Sequence, residues 1–279
     1  MAATQSKSDP CVQQIIPQGA EEVSTSDLIP RLMDITRYAK ETGIVIPVFL
    51  YGGPGVGKTD IVNQIGKELG AKVETYIAST MDPTEIRGIP VPLPRGSPQY
   101  SEWLPQKEWL TGRDEFKIYF FDELNLAPAS TQAAFYRLIL EGKLDTIDIS
   151  KSMRIAAGNR SSDVHSIRNL SLPLATRFEI YWLTPNLQGW LRWASTHGIR
   201  KEVMDYLTEY PNQLYCVNPD MQDFAKATPR GWERVSSLLK IGLNRKEDIA
   251  GSIGMDPALK FLAWLAQKPV KGPVNLGEL

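Results

Sequence analysis

The feature that most limits how this chain can fold is a glycine-spaced loop, Gly52-Gly53-Pro54-Gly55-Val56-Gly57-Lys58-Thr59. It stands between an apolar run, Ile44 to Tyr51, and a segment of helical periodicity, Lys58 to Leu69, that stops at Gly70. That order predicts a buried strand, a tight loop and a helix opening directly from it. Glycines permit backbone angles that aim several N–H groups inward, and a helix N-terminus adds partial positive charge. Such a loop suits phosphate. Lys58 is placed to reach the β- and γ-phosphates of ATP and the Thr59 hydroxyl to ligate Mg²⁺. Gly52 to Thr59, together with the adjoining Asp60, are therefore the expected nucleotide-binding residues.

A loop of this kind explains binding, not hydrolysis. Phe120-Phe121-Asp122-Glu123 supplies the second part. Lys117 to Phe121 reads as a continuous apolar strand covered on both faces. Asp122 then falls at its C-terminal end, where open α/β sheets place their ligand sites. Its carboxylate suits a Mg²⁺ role, directly or through water, and Glu123 can polarise the attacking water.

The remaining chain reads as an α/β domain followed by helices. Residues 1–24 are a polar, flexible lead-in. A helix with Ser26 as its N-cap is expected over 27–42, its apolar face made by Leu28, Leu32, Ile35 and Tyr38, with Gly43 ending it. Further strands are expected at Val73–Ala78, Arg154–Ala157 and Glu179–Leu183, and a helix at Thr131–Leu140. Beyond a boundary near Pro185 the pattern is helical: Gln188–Thr196, Lys201–Glu209, Pro229–Ile241 and Pro257–Ala266. The nucleotide-binding core thus spans 25–185 and a helical lid 186–267, with a Pro/Gly-rich tail at 268–279.

Composition narrows the partners. The 279 residues carry a formal charge of −1 and a pI of about 6.2, so no cationic excess advertises nucleic acid or an anionic membrane. Cys11 and Cys216 are the only cysteines and His165 and His197 the only histidines, with no zinc-ligand spacing among them. Two cysteines fit a reducing compartment. The polar start lacks an apolar leader core, and no run of about 18 apolar residues would span a membrane. A cytoplasmic protein is expected.

Four stretches resemble an AAA+ ATPase of the MoxR type, within the group carrying a helix-2 insert. Asp122-Glu123-Leu124-Asn125-Leu126-Ala127-Pro128 is similar to that family's Asp-Glu-Ile-Asn-Arg-Ala-Pro, and Thr131-Gln132-Ala133-Ala134 follows at the matching distance. Arg154 to Asn159 resembles the strand ending in the sensor-1 residue, which makes Asn159 that sensor. Leu172 to Phe178 resembles the segment ending in the arginine finger, which makes Arg177 the candidate, with Arg160 and Arg168 its competitors. Ala227-Thr228-Pro229-Arg230 resembles the sensor-2 signature, which makes Arg230 that sensor. The resemblance covers about residues 25–245. It implies a three-layer α/β/α sandwich around a central parallel sheet of five strands, followed by an all-α lid.

It also implies function. Asp122, Glu123, Asn159, Arg177 and Arg230 become the residues of Mg²⁺-dependent ATP hydrolysis to ADP and phosphate, with Thr59 and Asp122 at the metal. Arg177 would complete the site of a neighbouring subunit in a homo-oligomeric ring, a hexamer. Relatives of this type act as chaperone-like machines on client proteins, often with a von Willebrand factor A domain partner, and serve metal-cofactor insertion. The alternatives are a motor subunit of a nucleic-acid-acting assembly and a nucleotide-switched scaffold with slow hydrolysis. The acidic pI disfavours the first and the intact Glu123 the second.

Two departures from the family pattern matter. Leu126 stands where the family has arginine, whose role is absent here or moved, with Arg137 the candidate. Residues 143–153 are short, so a hairpin there is expected to be reduced. Residues 80–112 match the helix-2 insert, starting at Asp82-Pro83-Thr84-Glu85-Ile86-Arg87-Gly88. Alternating Ile89, Val91 and Leu93, then Tyr100 and Trp103, predict a hairpin. Arg95 at its turn is the candidate for touching a client, whereas Trp103 and Trp109 read as packing anchors. In the lid Trp190, Trp193 and Trp232 also read as packing residues.

Overall fold

The computed structural model describes residues 22–92, 101–110, 115–159, 170, 172–216 and 226–267. Cys11, Leu93, Arg95, Tyr100, Arg160, His165 and Arg168, the tail at 268–279 and the lead-in up to residue 21 lie outside them. Two compact units separate between Asn186 and Leu187.

The first unit opens with strand β1 (Glu22–Ser24) and helix α1 (Thr25–Thr42). Ser24, rather than Ser26, caps the helix by accepting from the Asp27 N–H at 3.3 Å. Its buried face is Leu28, Leu32, Thr36 and Ala39, while Tyr38 is exposed. The expected stripe was therefore rotated: positions spaced four, four and three, not the largest side chains, form the buried face. β2 (Val48–Gly52) leads through the glycine loop into α2 (Lys58–Leu69), and β3 (Lys72–Ile77) follows.

The insert comes next. α3 (Pro83–Arg87) is held by a capping box in which Asp82 accepts from the Thr84 N–H and Glu85 from the Asp82 N–H. β4 (Ile89–Pro92) and β5 (Ser101–Leu104) then pair antiparallel, Ile89 opposite Leu104. The expected hairpin is present. Trp109 anchors its return: it is 1% exposed, stacks on Tyr76 at 4.4 Å and donates from Nε1 to the Glu85 carbonyl at 2.9 Å. Trp103 instead lies beneath the Arg87 guanidinium, 4.6 Å from the ring centre.

β6 (Lys117–Asp122) and α4 (Ala129–Glu141) precede a hairpin of two-residue strands, β7 (Lys143–Leu144) and β8 (Ile147–Asp148). The reduced hairpin was expected; its fastening was not. Arg154, on β9 (Met153–Gly158), is buried and donates to the carbonyls of Ile139, Ile149, Ser150 and Ser152. Burial lowers its pKa to about 10. α5 (Leu172–Ala175) and β10 (Glu179–Thr184) complete the unit.

The sheet has six parallel strands in the order β1-β10-β2-β9-β6-β3. Five were expected; the sixth, β1, came from the end of the segment read as a flexible lead-in. The central strands are buried along nearly their whole length because helices cover both faces. Every strand runs the same way, so the loops after β2, β3, β6 and β9 leave from one edge of the sheet.

The second unit contains α6 (Leu187–Thr196), α7 (Lys201–Glu209), α8 (Pro229–Lys240), α9 (Lys246–Ile253) and α10 (Met255–Gln267). Its core gathers Trp190, Val203, Tyr206, Trp232, Val235, Phe261 and Trp264, with Trp193 packed against it. The tryptophans of this unit are thus packing residues, as their helical spacing suggested. No helix among the described residues is long and apolar enough to cross a membrane.

Candidate nucleotide site

The loop from Gly52 to Lys58 is shaped by backbone angles that only glycine adopts easily. Gly57 has φ +94° and forms the N-cap of α2, a conformation that would strain any residue with a Cβ. The helix then starts at once, and its first internal bond runs from the Ile61 N–H to the Gly57 carbonyl at 3.0 Å. The N–H groups of Lys58, Thr59 and Asp60 therefore have no carbonyl within the helix. They form a set of donors suited to an anion. Asp60 itself is exposed, so its contribution is that N–H, not its carboxylate. Val56 is buried and fastens the loop, while Pro54 is exposed on it.

Lys58 is only 9% exposed. Its Nζ donates to the carbonyls of Gly52 at 2.8 Å and Gly53 at 3.1 Å, and to Asn159 Oδ1 at 3.1 Å. The last bond joins the start of α2, which follows β2, to the residue just past β9, the strand beside β2 in the sheet. Because an ammonium only donates, Asn159 turns its oxygen to Lys58 and leaves its Nδ2 donor to face elsewhere. The sensor candidate and the loop lysine are thus direct partners.

Thr59 Oγ1 donates to Asp122 Oδ2 at 3.1 Å. A hydroxyl beside a carboxylate is a hard-oxygen pair of the kind Mg²⁺ accepts alongside phosphate oxygens and water. Among the described residues no group of three or more His, Cys, Asp or Glu gathers into a protein-only metal cage. The donor set therefore fits Mg²⁺ arriving with a nucleotide, held by Thr59 and Asp122, where it would neutralise phosphate charge. Asp122 Oδ1 accepts from the Glu123 N–H at 2.9 Å, which fixes the carboxylate at the strand end.

Glu123 sits at φ +55°, in the left-handed region. A non-glycine residue there stores strain and persists only where the surroundings hold it. Here the Ser79 hydroxyl donates to Glu123 Oε2, and the Leu126 N–H bonds the Glu123 carbonyl at 2.9 Å. Ser79 is not among the residues expected from the sequence. Strand register could have found it: Ile77 on β3 pairs with Asp122 on β6, so the residues just beyond each strand end must meet. Asn125 also makes contacts that its position in sequence does not reveal. Its side chain is fully buried and bonds the backbone of Asn159 twice.

Lys58, Thr59, Asp122, Glu123 and Asn159 thus converge at three strand ends. Arg177 does not join them. It is exposed in the turn between α5 and β10, with no side-chain hydrogen bond or ion pair among the described residues. Arg230 belongs to the helical unit, exposed in the first turn of α8 behind its N-cap Thr228, which accepts from the Gly231 N–H at 3.0 Å. Arg137, the candidate for the displaced arginine role, pairs with Glu141 on the surface of α4 at 3.5 Å, away from this cluster.

Residues 47–178 match the family model described as AAA domain (dynein-related subfamily). Solved structures with a similar course include the RuvB Holliday junction branch migration motor of Thermotoga maritima, at 18% identity over 85% of this chain and 68% of that one, TM-score 0.49. A point mutant of the same RuvB aligns at 20% identity over 87% and 70%, TM-score 0.48. The phosphate loop, both acids and Asn159 all lie within the span that matches this AAA domain model.

Proposed function

We propose that this chain is the subunit of a MoxR-type AAA+ ring motor, hexameric and cytoplasmic, that hydrolyses Mg²⁺-ATP to remodel or mature a client protein. The observation that carries the chemistry is the Thr59–Asp122 pair with Glu123 next in line on the same strand end. In this reading Lys58 and the loop N–H groups hold the phosphates, and Thr59 and Asp122 hold Mg²⁺. Glu123 orients water, and Asn159 places a donor near the γ-phosphate, where transition-state charge gathers. Arg177, exposed and without a side-chain partner among the described residues, acts on a neighbour's nucleotide, and Arg230 senses phosphate from the lid.

A protein client is supported by the insert. Its described strands present Ile89, Val91 and Leu104 to solvent and contain no Lys or Arg. A von Willebrand factor A domain partner and metal-cofactor insertion are the associated roles, carried here by the resemblance alone.

Phosphate release and nucleotide binding test the chemistry. Glu123→Gln should slow turnover by roughly 10²–10³-fold while keeping ATP; unchanged turnover removes Glu123 from the mechanism. Mixing Arg177→Ala with Lys58→Ala subunits should restore partial activity at mixed interfaces, and no restoration counts against a finger acting between subunits. DNA or RNA that raised turnover many-fold in a salt-dependent way would replace the protein-client reading with a nucleic-acid motor.

A further inference from the structure

We infer that Asn125 is a positioning residue for ATP hydrolysis, acting through Asn159; this rests on the ATPase reading above. Asn159 follows the end of β9, one residue past the last ladder partner: Gly158 pairs with Tyr51 on β2, and on the other side β6 is last matched at Phe121 with Ala156. Its peptide would be free to turn there. Asn125 replaces the missing strand. Its Nδ2 donates to the Asn159 carbonyl at 2.7 Å, and its Oδ1 accepts from the Asn159 N–H at 3.1 Å.

A primary amide is the side-chain group that offers a donor and an acceptor in one plane, matched to one residue's C=O and N–H. The pair is sealed: Asn125 is fully buried, and a Cβ at Gly158 would overlap both its amide and the Phe49 ring. Gly158 is thus required by close approach, not by backbone angle. Held this way, Asn159 has its side chain fixed with Oδ1 on Lys58, so Nδ2 keeps one direction. Asn125 lies two residues after Glu123 in the same turn. It therefore ties the loop carrying the water-polarising acid to the residue that touches the phosphate lysine.

The test uses the full chain and compares Asn125→Ala, Asn159→Ala and the double variant by Mg²⁺-ATP turnover and by binding of a fluorescent ATP analogue. Each single change should lower kcat about ten- to a hundredfold with binding changed by no more than about threefold. The double variant should be no slower than Asn159→Ala alone, because nothing remains to be positioned. Multiplying losses, or an Asn125→Ala enzyme with normal kcat, overturns the inference.

Should Asn125→Ala not fold, Asn125→Asp keeps the volume and the acceptor but loses the donor, and its loss should likewise vanish beside Asn159→Ala. Amide hydrogen exchange at Asn159 reads the pairing without turnover. Exchange about tenfold faster in the variant supports it, and unchanged protection overturns it. Absence of ATP turnover in the unaltered protein would sink the ATPase reading instead, while the exchange measurement still decides the pairing.

Discussion

The ends of β2, β6 and β9 and the insert that follows β3 leave the same edge of one parallel sheet, yet they are built in opposite ways. At the site each functional side chain is tied to another: Lys58 to Asn159, Thr59 to Asp122, Glu123 to Ser79. The insert is tied at its root and bare along its hairpin. Trp109 is buried at the return, whereas Ile89 and Leu104, paired across the strands, are 63% and 64% exposed. Chemistry needs groups held in place. A surface that meets partners needs apolar area left uncovered, and Ile89 with Leu104 provides some.

Three changes, beside those at the site, test this contrast. The largest effect should come from Trp109→Ala, which removes a buried ring stacked on Tyr76 and should cost about 3–5 kcal/mol, read as a fall in denaturation midpoint. A shift near zero would mean the insert is as loose at its root as along its strands.

Glu74 on β3, the strand that launches the insert, is next. Burial opposes its charge, but Lys72 at 2.7 Å and Lys117 at 3.2 Å outweigh that and hold its pKa below the usual carboxylate range. A carboxylate depressed in the folded state contributes stability above its unfolded pKa and loses it as pH falls through the folded value. Glu74→Gln should therefore cost about 1 kcal/mol at pH 7, with the gap closing as pH drops below about 4. A gap that persists in acid would show that shape, not charge, holds this edge.

The smallest stability effect belongs to Ile89→Ser with Leu104→Ser, within about 0.5 kcal/mol, since neither side chain is buried. ATP turnover without a client should also be unchanged. A marked loss of stability would show that this face is covered within the protein.

Much of the sheet unit was legible because its signals are strong and local. The helix expected at Lys58–Leu69 has those bounds, since Gly57 and Gly70 punctuate it. β6 and β9 read clearly because strands covered on both faces are continuously apolar. The three-residue β1 was not legible: it is too short to show a period and exists only because β10 offers an edge to pair with. α9 was missed as well, eight residues with a glycine inside. The rotation of α1 onto Thr36 and Ala39 depended on the sheet beneath it.

For the site the division is physical. Which groups are present could be read along the chain: loop glycines, a lysine and a hydroxyl opening a helix, two acids at a strand end, an asparagine at another. Residue type and neighbours along the chain suffice for that, because a strand–loop–helix turn is local. Which groups meet is set by the fold. Ser79 reaches Glu123 across 44 positions, Lys58 reaches Asn159 across 101, and Asn125 reaches Asn159 across 34. Those distances close only when parallel strands pair in register, and no local pattern encodes that register.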